Sequence, residues 1–192
     1  SYEVIVGTDL LADFDTHLND VLNHPRIAVI TDKIVADLHL PKLTNSLLKA
    51  GINVEVVEIP GTEASKNLYY LDQVLGRLLD IRIERTDTIC ALGGGVVGDL
   101  AGFAASIIKR GAKFVQIPTT LLAQVDAAIG GKTGINTTHG KNLVGTTYQP
   151  TKVIADISTL DTLPKRELLA GYAEIVKYAL IGDFKFFTWL EA

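Results

Sequence analysis

The stretch DTICALGGGVVGDLAGFAASIIKRG, residues 87–111, decides the fold. Residues 87–92 form a short apolar run of strand type, three glycines follow, and a helical pattern starts at about Val96. Gly93, Gly95 and Gly98 satisfy the G-x-G-x-x-G spacing of phosphate-binding turns. A strand that runs through glycines into a helix aims free N–H groups and the positive end of the helix dipole at whatever sits above the turn. The spacing alone leaves two readings open, a packing turn and a nucleotide loop, because glycine turns at strand ends are also common on steric grounds. The acidic residue that dinucleotide folds place about 20 positions later is missing. In its place KFVQIPTT ends in Thr119 and Thr120.

Outward from this stretch, RIAVI (26–30), INVEVVEI (52–59), KFVQI (113–117) and KVIADI (152–157) are further β-branched runs, with amphipathic segments between them. Strands alternating with helices predict an α/β, Rossmann-like, mostly parallel sheet covered by helices on both faces. Strand ends fall at Asp32, at Pro60–Lys66, at the glycines and at Thr119–Thr120, so polar residues collect at the carboxyl edge, where open α/β folds bind ligands. From Leu163 the texture changes. LPKRELLAGYAEIVKYALIGDFKFFTWLEA reads as two helices, with Pro164 suited to a first turn and a break at IGD. A boundary near Asp161 divides an α/β domain, 1–161, from the first helices of an all-α domain, 162–192. The second helix carries Phe187, Trp189 and Leu190 without a core to receive them, so the chain reads as a fragment.

The 192 residues carry a net charge of −4, against a nucleic-acid surface. The sign is uneven. Residues 1–98 hold 8 Lys/Arg against 14 Asp/Glu, whereas 99–141 hold Lys109, Arg110, Lys113, Lys132 and Lys141 against Asp99 and Asp126. Small anions suit that basic island. No apolar run approaches the roughly 20 residues of a membrane span, so no membrane partner is expected. The first residues lack the marks of a signal peptide, and the lone Cys90 makes a reducing cytoplasm the default.

TTLLAQVDAAIGGKTGINTTHGKNLVG, 119–145, carries more chemistry. Asp126 interrupts an apolar helical run, where a carboxylate most commonly caps a helix or pairs with a lysine. Lys132 and Lys141 stand on glycine-bracketed loops, good positions for reaching bound oxyanions. Thr133, Asn136 and Asn142 add neutral hydrogen-bonding groups, and His139 reads as a loop histidine. Glu174 and Lys177 are three apart and share a helical face. Their apolar neighbours Ala173, Ile175, Val176 and Ala179 favour a polar cleft over a surface ion pair.

GGGVVGDLAGFAAS, KRG, QIPTTLLAQVDAAIGGKTGIN, GKNLVGTTYQP and LPKRELLAGYAEIVKYALI together resemble the signature blocks of the 3-dehydroquinate synthase family, of the sugar-phosphate cyclase superfamily. The resemblance implies an NAD-binding amino-terminal domain, a helical second domain with a divalent metal, zinc or cobalt, and an active site between them. It implies a sugar phosphate substrate, 3-deoxy-D-arabino-heptulosonate 7-phosphate. That substrate is oxidised by NAD, loses phosphate, is reduced by the same cofactor and closes by an aldol step. Carried over by position, it places Gly94, Gly95, Val96 and Asp99 at the pyrophosphate and ribose, and Asp32, Glu63 and Lys66 near the adenosine half. Thr119, Thr120, Thr159 and Thr162 complete the cofactor cleft. Lys132 and Lys141 face both cofactor and substrate, and Asp126, Asn142 and Lys177 contact substrate. Arg110 reaches across a homodimer to a neighbour's substrate phosphate, and Glu174 is a metal ligand. The family's two metal histidines belong to a part not present, and His17, His24, His39 and His139 match neither.

Three other readings stay open: a sister sugar-phosphate cyclase, a metal-dependent polyol dehydrogenase that releases its NADH, and a free NAD-binding module. IGGKTGIN favours the quinate branch over the sister cyclases.

Overall fold

The computed structural model describes residues 1–191. Its strands are β1 (Glu3–Gly7), β2 (Arg26–Asp32), β3 (Asn53–Ile59), β4 (Thr88–Gly93), β5 (Lys113–Pro118), β6 (Lys132–Thr137), β7 (Gly140–Thr147) and β8 (Lys152–Asp156). Its helices are α1 (Lys33–Lys49), α2 (Leu68–Asp80), α3 (Gly95–Ile107), α4 (Lys165–Gly182) and α5 (Phe184–Glu191). Six strands pair in parallel in the order β1-β8-β5-β4-β2-β3, while β6 and β7 form a separate antiparallel hairpin. No helix among the described residues is long and apolar enough to cross a membrane.

The central strands are apolar on both sides because both sides are covered. Ala28, Ile30, Ile89 and Ala91 pack with Leu71, Val74 and Leu78 of α2 and with α3. Ile27, Val29, Cys90 and Leu92 face the other way, toward Leu43 and Leu47 of α1 and the segment holding Leu11, Phe14 and Leu18. Burial pushes the Cys90 thiol up to about 12. The chain reverses its direction of travel across the sheet between β2 and β4, which makes the crevice above their carboxyl ends the topological switch point.

Between Val97 and Ala105 every residue of α3 except Asp99 is buried. A helix apolar all round needs cover beyond one sheet face. The β6–β7 hairpin supplies it, with the Thr133 methyl against Gly102 and Ile135 in the same core. Lys132 and Lys141, expected on glycine-bracketed loops, therefore stand on strands: Lys132 opens β6 and Lys141 lies on β7. β1 was likewise unforeseen. It joins the sheet edge by pairing with β8, in register from Glu3–Lys152 to Gly7–Asp156.

The helix that follows the glycine turn stops at Ile107. Lys109 and Arg110 take left-handed conformations, φ 50° and 62°, before Gly111 at φ 111°. This reversal lets the Ala112 N–H reach the Ala105 carbonyl at 2.9 Å and feeds the chain into β5. The two helices after Leu163 are α4 and α5, broken at Asp183, with Pro164 at the cap of α4 rather than inside its first turn.

A Cβ at Gly102 would stand 2.5 Å from Thr133 Cγ2 and 3.0 Å from Phe114 Cε1. Gly102→Ala is expected to cost about 1–3 kcal/mol of stability by overpacking. Adding Thr133→Ser, which removes that methyl and keeps the hydroxyl, should restore part of the loss. Urea denaturation of the single and double variants measures both, and an equally unstable double variant would show that the clash lies elsewhere.

Candidate functional site

The glycine turn sits at the switch point, where Gly94 caps α3 with no side chain serving the helix's free N–H groups. Its glycines have separate duties. A Cβ at Gly93 would lie 2.7 Å from Val97, and one at Gly98 would lie 2.7 Å from Gln116 Oε1, so these two allow helix and sheet to approach. Gly94 and Gly95 form the half-buried lip, beside Thr120 at 3.1 Å and Ala127 at 3.3 Å by the same measure. The Thr119 N–H donates to the Gly93 carbonyl at 3.0 Å, which ties the end of β5 to the turn. The Thr119 hydroxyl is buried without a hydrogen-bond partner, while Thr120 Oγ1 accepts from the Ala123 N–H at 3.2 Å.

Asp32 ends β2 on the far side of the crevice, where its carboxylate accepts from the Ile34 and Val35 N–H groups at 3.0 and 3.1 Å. It is thus an N-cap of α1. Thr159 and Thr162 follow β8 in a 3-10 turn. Thr159 Oγ1 donates to the Asp156 carbonyl at 2.7 Å and Thr162 Oγ1 to the Thr159 carbonyl at 3.0 Å. His39 Nε2 stands 3.0 Å from Thr162 Oγ1, whose proton is already committed, so the ring N–H is the donor. Sequence reasoning set His39 aside. Its one signal was a histidine on the inner side of an amphipathic helix.

Lys66, only 5% exposed, bridges to the hairpin: its ammonium pairs with Asp99 and donates to Asn142 Oδ1 at 2.6 Å. Burial pushes the Asp99 carboxyl up, and Lys66 pulls the other way. Glu63 Oε1 accepts from Asn136 Nδ2 at 2.7 Å and lies 3.9 Å from the exposed Lys141 ammonium.

Beside the turn opens a cleft of about 520 Å³, lined among others by Asp99, Asp126, Lys132, Thr133 and Asn142. Lys132 is exposed on it and forms no ion pair among the described residues. Asp126 lies in a π-helical turn, Ala123–Ala127, and accepts from Tyr178 Oη of α4 at 2.7 Å. That bond is the main cause raising the Tyr178 phenol, with burial adding to it. The helix α4 reaches this turn because Gly171 lets it lie against Leu121 and Leu122; a Cβ there would be 2.5 Å from the Leu122 nitrogen. Sequence reasoning missed Tyr178, although it stands four residues after Glu174 on the same helix.

Glu174 and Lys177 do form an ion pair, so the polar-cleft expectation holds only in part. Glu174 is half-buried and Lys177 exposed, with the Lys177 ammonium 4.7 Å from the centre of the ring of Tyr178, the residue that donates to Asp126. Glu174 Oε2 is buried and makes no well-shaped hydrogen bond. No group of three His, Cys, Asp or Glu side chains among the described residues is placed to hold a metal. Arg110 stands apart from all of this, exposed at the opposite end of α3.

A parallel sheet with a glycine turn at its switch point, beside a cleft that carries Lys132, defines a fold of the dinucleotide-binding type. The pattern of the family described as 3-dehydroquinate synthase N-terminal matches residues 56–170, and the chain belongs to that family. It is 51% identical over 191 residues to the 3-dehydroquinate synthase of Roseobacter denitrificans, covering 100% of this chain and 52% of that protein. The chain thus spans about half the length of the curated relatives it matches. Among solved structures it resembles 2-epi-5-epi-valiolone synthase from Streptomyces hygroscopicus subsp. jinggangensis with NAD+ and Zn2+ bound. There the TM-score is 0.89 with 34% identity, over 96% of this chain and 51% of that one. It also resembles a 2-deoxy-scyllo-inosose synthase complexed with carbaglucose-6-phosphate, NAD+ and Co2+, at TM-score 0.86 and 31% identity, over 94% of this chain and 48% of that one.

Burial lowers the His39 pKa from its ordinary 6.5, Asp156 opposes the shift and Lys42 adds to it. The folded chain therefore binds this proton less readily than the unfolded chain, and stability held above pH 6.5 is lost as the pH falls below it. His39→Gln, which retains a donor for Thr162, should flatten the fall in thermal midpoint between about pH 7 and pH 5.5. An unchanged slope in the variant would remove His39 from the acid response.

Proposed function

We propose that this chain is the cofactor half of a cytoplasmic, homodimeric 3-dehydroquinate synthase. That enzyme converts 3-deoxy-D-arabino-heptulosonate 7-phosphate to 3-dehydroquinate and inorganic phosphate. With the boundary between Asp161 and Thr162, α4 and α5 open its second domain; Phe184 and Trp189, 80% and 71% exposed, give α5 an apolar surface to bury. The observation that carries the reading is the uncapped glycine turn at the switch point, next to the buried, unpartnered Thr119 hydroxyl and the uncompensated Lys132. The 51% identity to a 3-dehydroquinate synthase, against 34% and 31% to the two sister cyclases, favours the quinate branch.

The residues fit NAD. Gly94, Gly95 and Val96 would offer N–H groups to the pyrophosphate, and Asp99 would hold the ribose. Asp32, Glu63 and Lys66 would border the adenosine half, and Thr119, Thr120, Thr159 and Thr162 would close the cleft. The cofactor supplies a hydride acceptor that later returns the same hydride, so the net reaction is phosphate loss and ring closure without net oxidation. Lys132 and Lys141 would neutralise the anions of cofactor and substrate, and Asp126, Asn142 and Lys177 would orient the substrate's hydroxyls and charged groups.

The residues present do not build a metal site by themselves. Glu174 is this chain's one proposed ligand for a zinc or cobalt ion, and any cation reaching it must displace the Lys177 ammonium. Arg110 would serve a neighbouring subunit. From Gly95 to Ile107 the helix spans about 20 Å at 1.5 Å per residue, too far for Arg110 to reach its own turn.

Calorimetry should show NAD binding to the isolated chain, and a phosphate-release assay with the heptulosonate phosphate should show no turnover. The full-length protein should release phosphate at catalytic NAD, and Lys132→Ala there should lower kcat/KM about 100-fold, as loss of a charge-assisted contact does. A full-length protein that consumes NAD stoichiometrically would be a dehydrogenase, and one active only on another sugar phosphate a sister cyclase. Turnover by the isolated chain would remove the half-enzyme reading.

For Arg110 the test is mixing. Full-length Arg110→Ala and Lys132→Ala subunits, allowed to exchange, should recover activity above either parent, because a hybrid dimer carries one site with both residues. Proven exchange without recovery would place Arg110 outside the neighbour's site.

A further inference from the structure

Asn136 has no part in the cofactor and substrate contacts assigned above, yet it touches three of the segments that carry them. It stands on β6 where the pairing of the hairpin breaks. The two steps from Ile135 to Thr137 are met by four steps on β7, from Gly140 to Val144. The surplus forms a bulge on β7, and the bulged stretch holds Lys141 and Asn142. Such bulges re-aim side chains. Asn142 sits there in a left-handed conformation, φ 57°, which asparagine tolerates better than most side chains do.

Asn136 fills the space that opens opposite the bulge. Its Oδ1 accepts from the Asn142 N–H at 2.9 Å, its Nδ2 donates to Glu63 Oε1 at 2.7 Å, and its own N–H donates to the Lys66 carbonyl at 2.7 Å. Asn142 Oδ1 in turn accepts from the Lys66 ammonium, which pairs with Asp99 of α3. One half-buried carboxamide thus ties the bulge to the loop after β3, and through Asn142 and Lys66 to the helix that rises from the glycine turn. Both ends of the carboxamide are used: an acceptor toward the bulge and a donor toward Glu63.

We infer that Asn136 is a positioning residue, whose carboxamide holds the β7 bulge in one register and sets Asn142, Lys66 and Glu63 in a single arrangement before any ligand arrives. Its value for ligand binding rests on the functional reading above. Its hold on Asn142 does not. Groups fixed in advance bind without the cost of ordering them.

Two variants of this chain test it, by amide hydrogen exchange and by NAD titration. Asn136→Ala removes both bonds. The Asn142 amide should exchange about tenfold faster, and NAD affinity should fall about tenfold, while the β4 amides of Ile89–Leu92 keep their protection. Asn136→Asp keeps an acceptor for the Asn142 N–H but loses the donor to Glu63 and sets a second carboxylate against it, so it should hold that exchange within about threefold of wild type while the affinity stays reduced. Unchanged Asn142 exchange in the alanine variant overturns the inference. Faster Asn142 exchange with undiminished NAD affinity also overturns it, because the bond is then only a local staple. If β4 loosens in the alanine variant, the aspartate variant decides: fast Asn142 exchange there, with β4 intact, overturns the inference. A wild-type chain that binds no NAD defeats the functional reading instead, and the exchange data then judge the hold on Asn142 alone.

Discussion

The structure turns on the need to cover α3 from every side. The helix has one polar position between Val97 and Ala105, so water must be kept from nearly all of its surface. Burial of that much apolar surface stabilises the domain at roughly 25 cal/mol per Å² removed from water, but only if neighbours can approach closely. Gly93 and Gly98 allow the sheet to do so and Gly102 admits Thr133 of the hairpin. The hairpin is therefore held against the helix that begins at the glycine turn, and this places Lys132 and Asn142 beside the turn although they follow it by tens of residues in sequence. Of the glycines whose spacing left packing and ligand approach as rivals, Gly93 and Gly98 serve packing, whereas Gly94 and Gly95 stand clear of those contacts.

The polar side of α3 is settled by the same geometry. Asp99 is drawn partly out of water by its position and meets Lys66, itself almost fully buried. Neither charge would be stable there alone, since an uncompensated buried charge costs several kcal/mol. Their pairing, completed by Asn142, gives the region between the sheet and the hairpin a fixed polar centre. On the other flank Asp126 holds Tyr178, and the α4 pair Glu174–Lys177 lies beside them. The cleft thus lies between two hydrogen-bonded groups contributed by different helices.

Much of this was legible in the sequence. Five strands, the glycine turn, the helix break at Asp183 and the clustering of polar strand ends are local patterns, and local patterns survive folding. The hairpin was not legible, because GGKTGIN and GKNLVG are glycine-rich and only the demand of α3 for cover makes them strands. That demand was itself written in GDLAGFAAS, an apolar run with no polar face. β1 could not be read because its only partner, β8, lies at the other end of the domain. The contacts of Lys66 with Asp99, Tyr178 with Asp126 and His39 with Thr162 span 33 to 123 residues. Nothing in local periodicity records such pairings. The resemblance to a family marked most of these residues but not what each one touches.

The sole cysteine sits at the centre of β4, shielded from solvent on every side, with its thiol pushed up to about 12. At neutral pH it offers almost no thiolate, so alkylating reagents find nothing to attack in the native fold. A cysteine introduced on the surface would then be the one reactive thiol of the molecule. Fluorophores or spin labels can be attached singly to β7 or to α4 without first removing Cys90, and the mobility of the hairpin or of the helix becomes directly readable in solution.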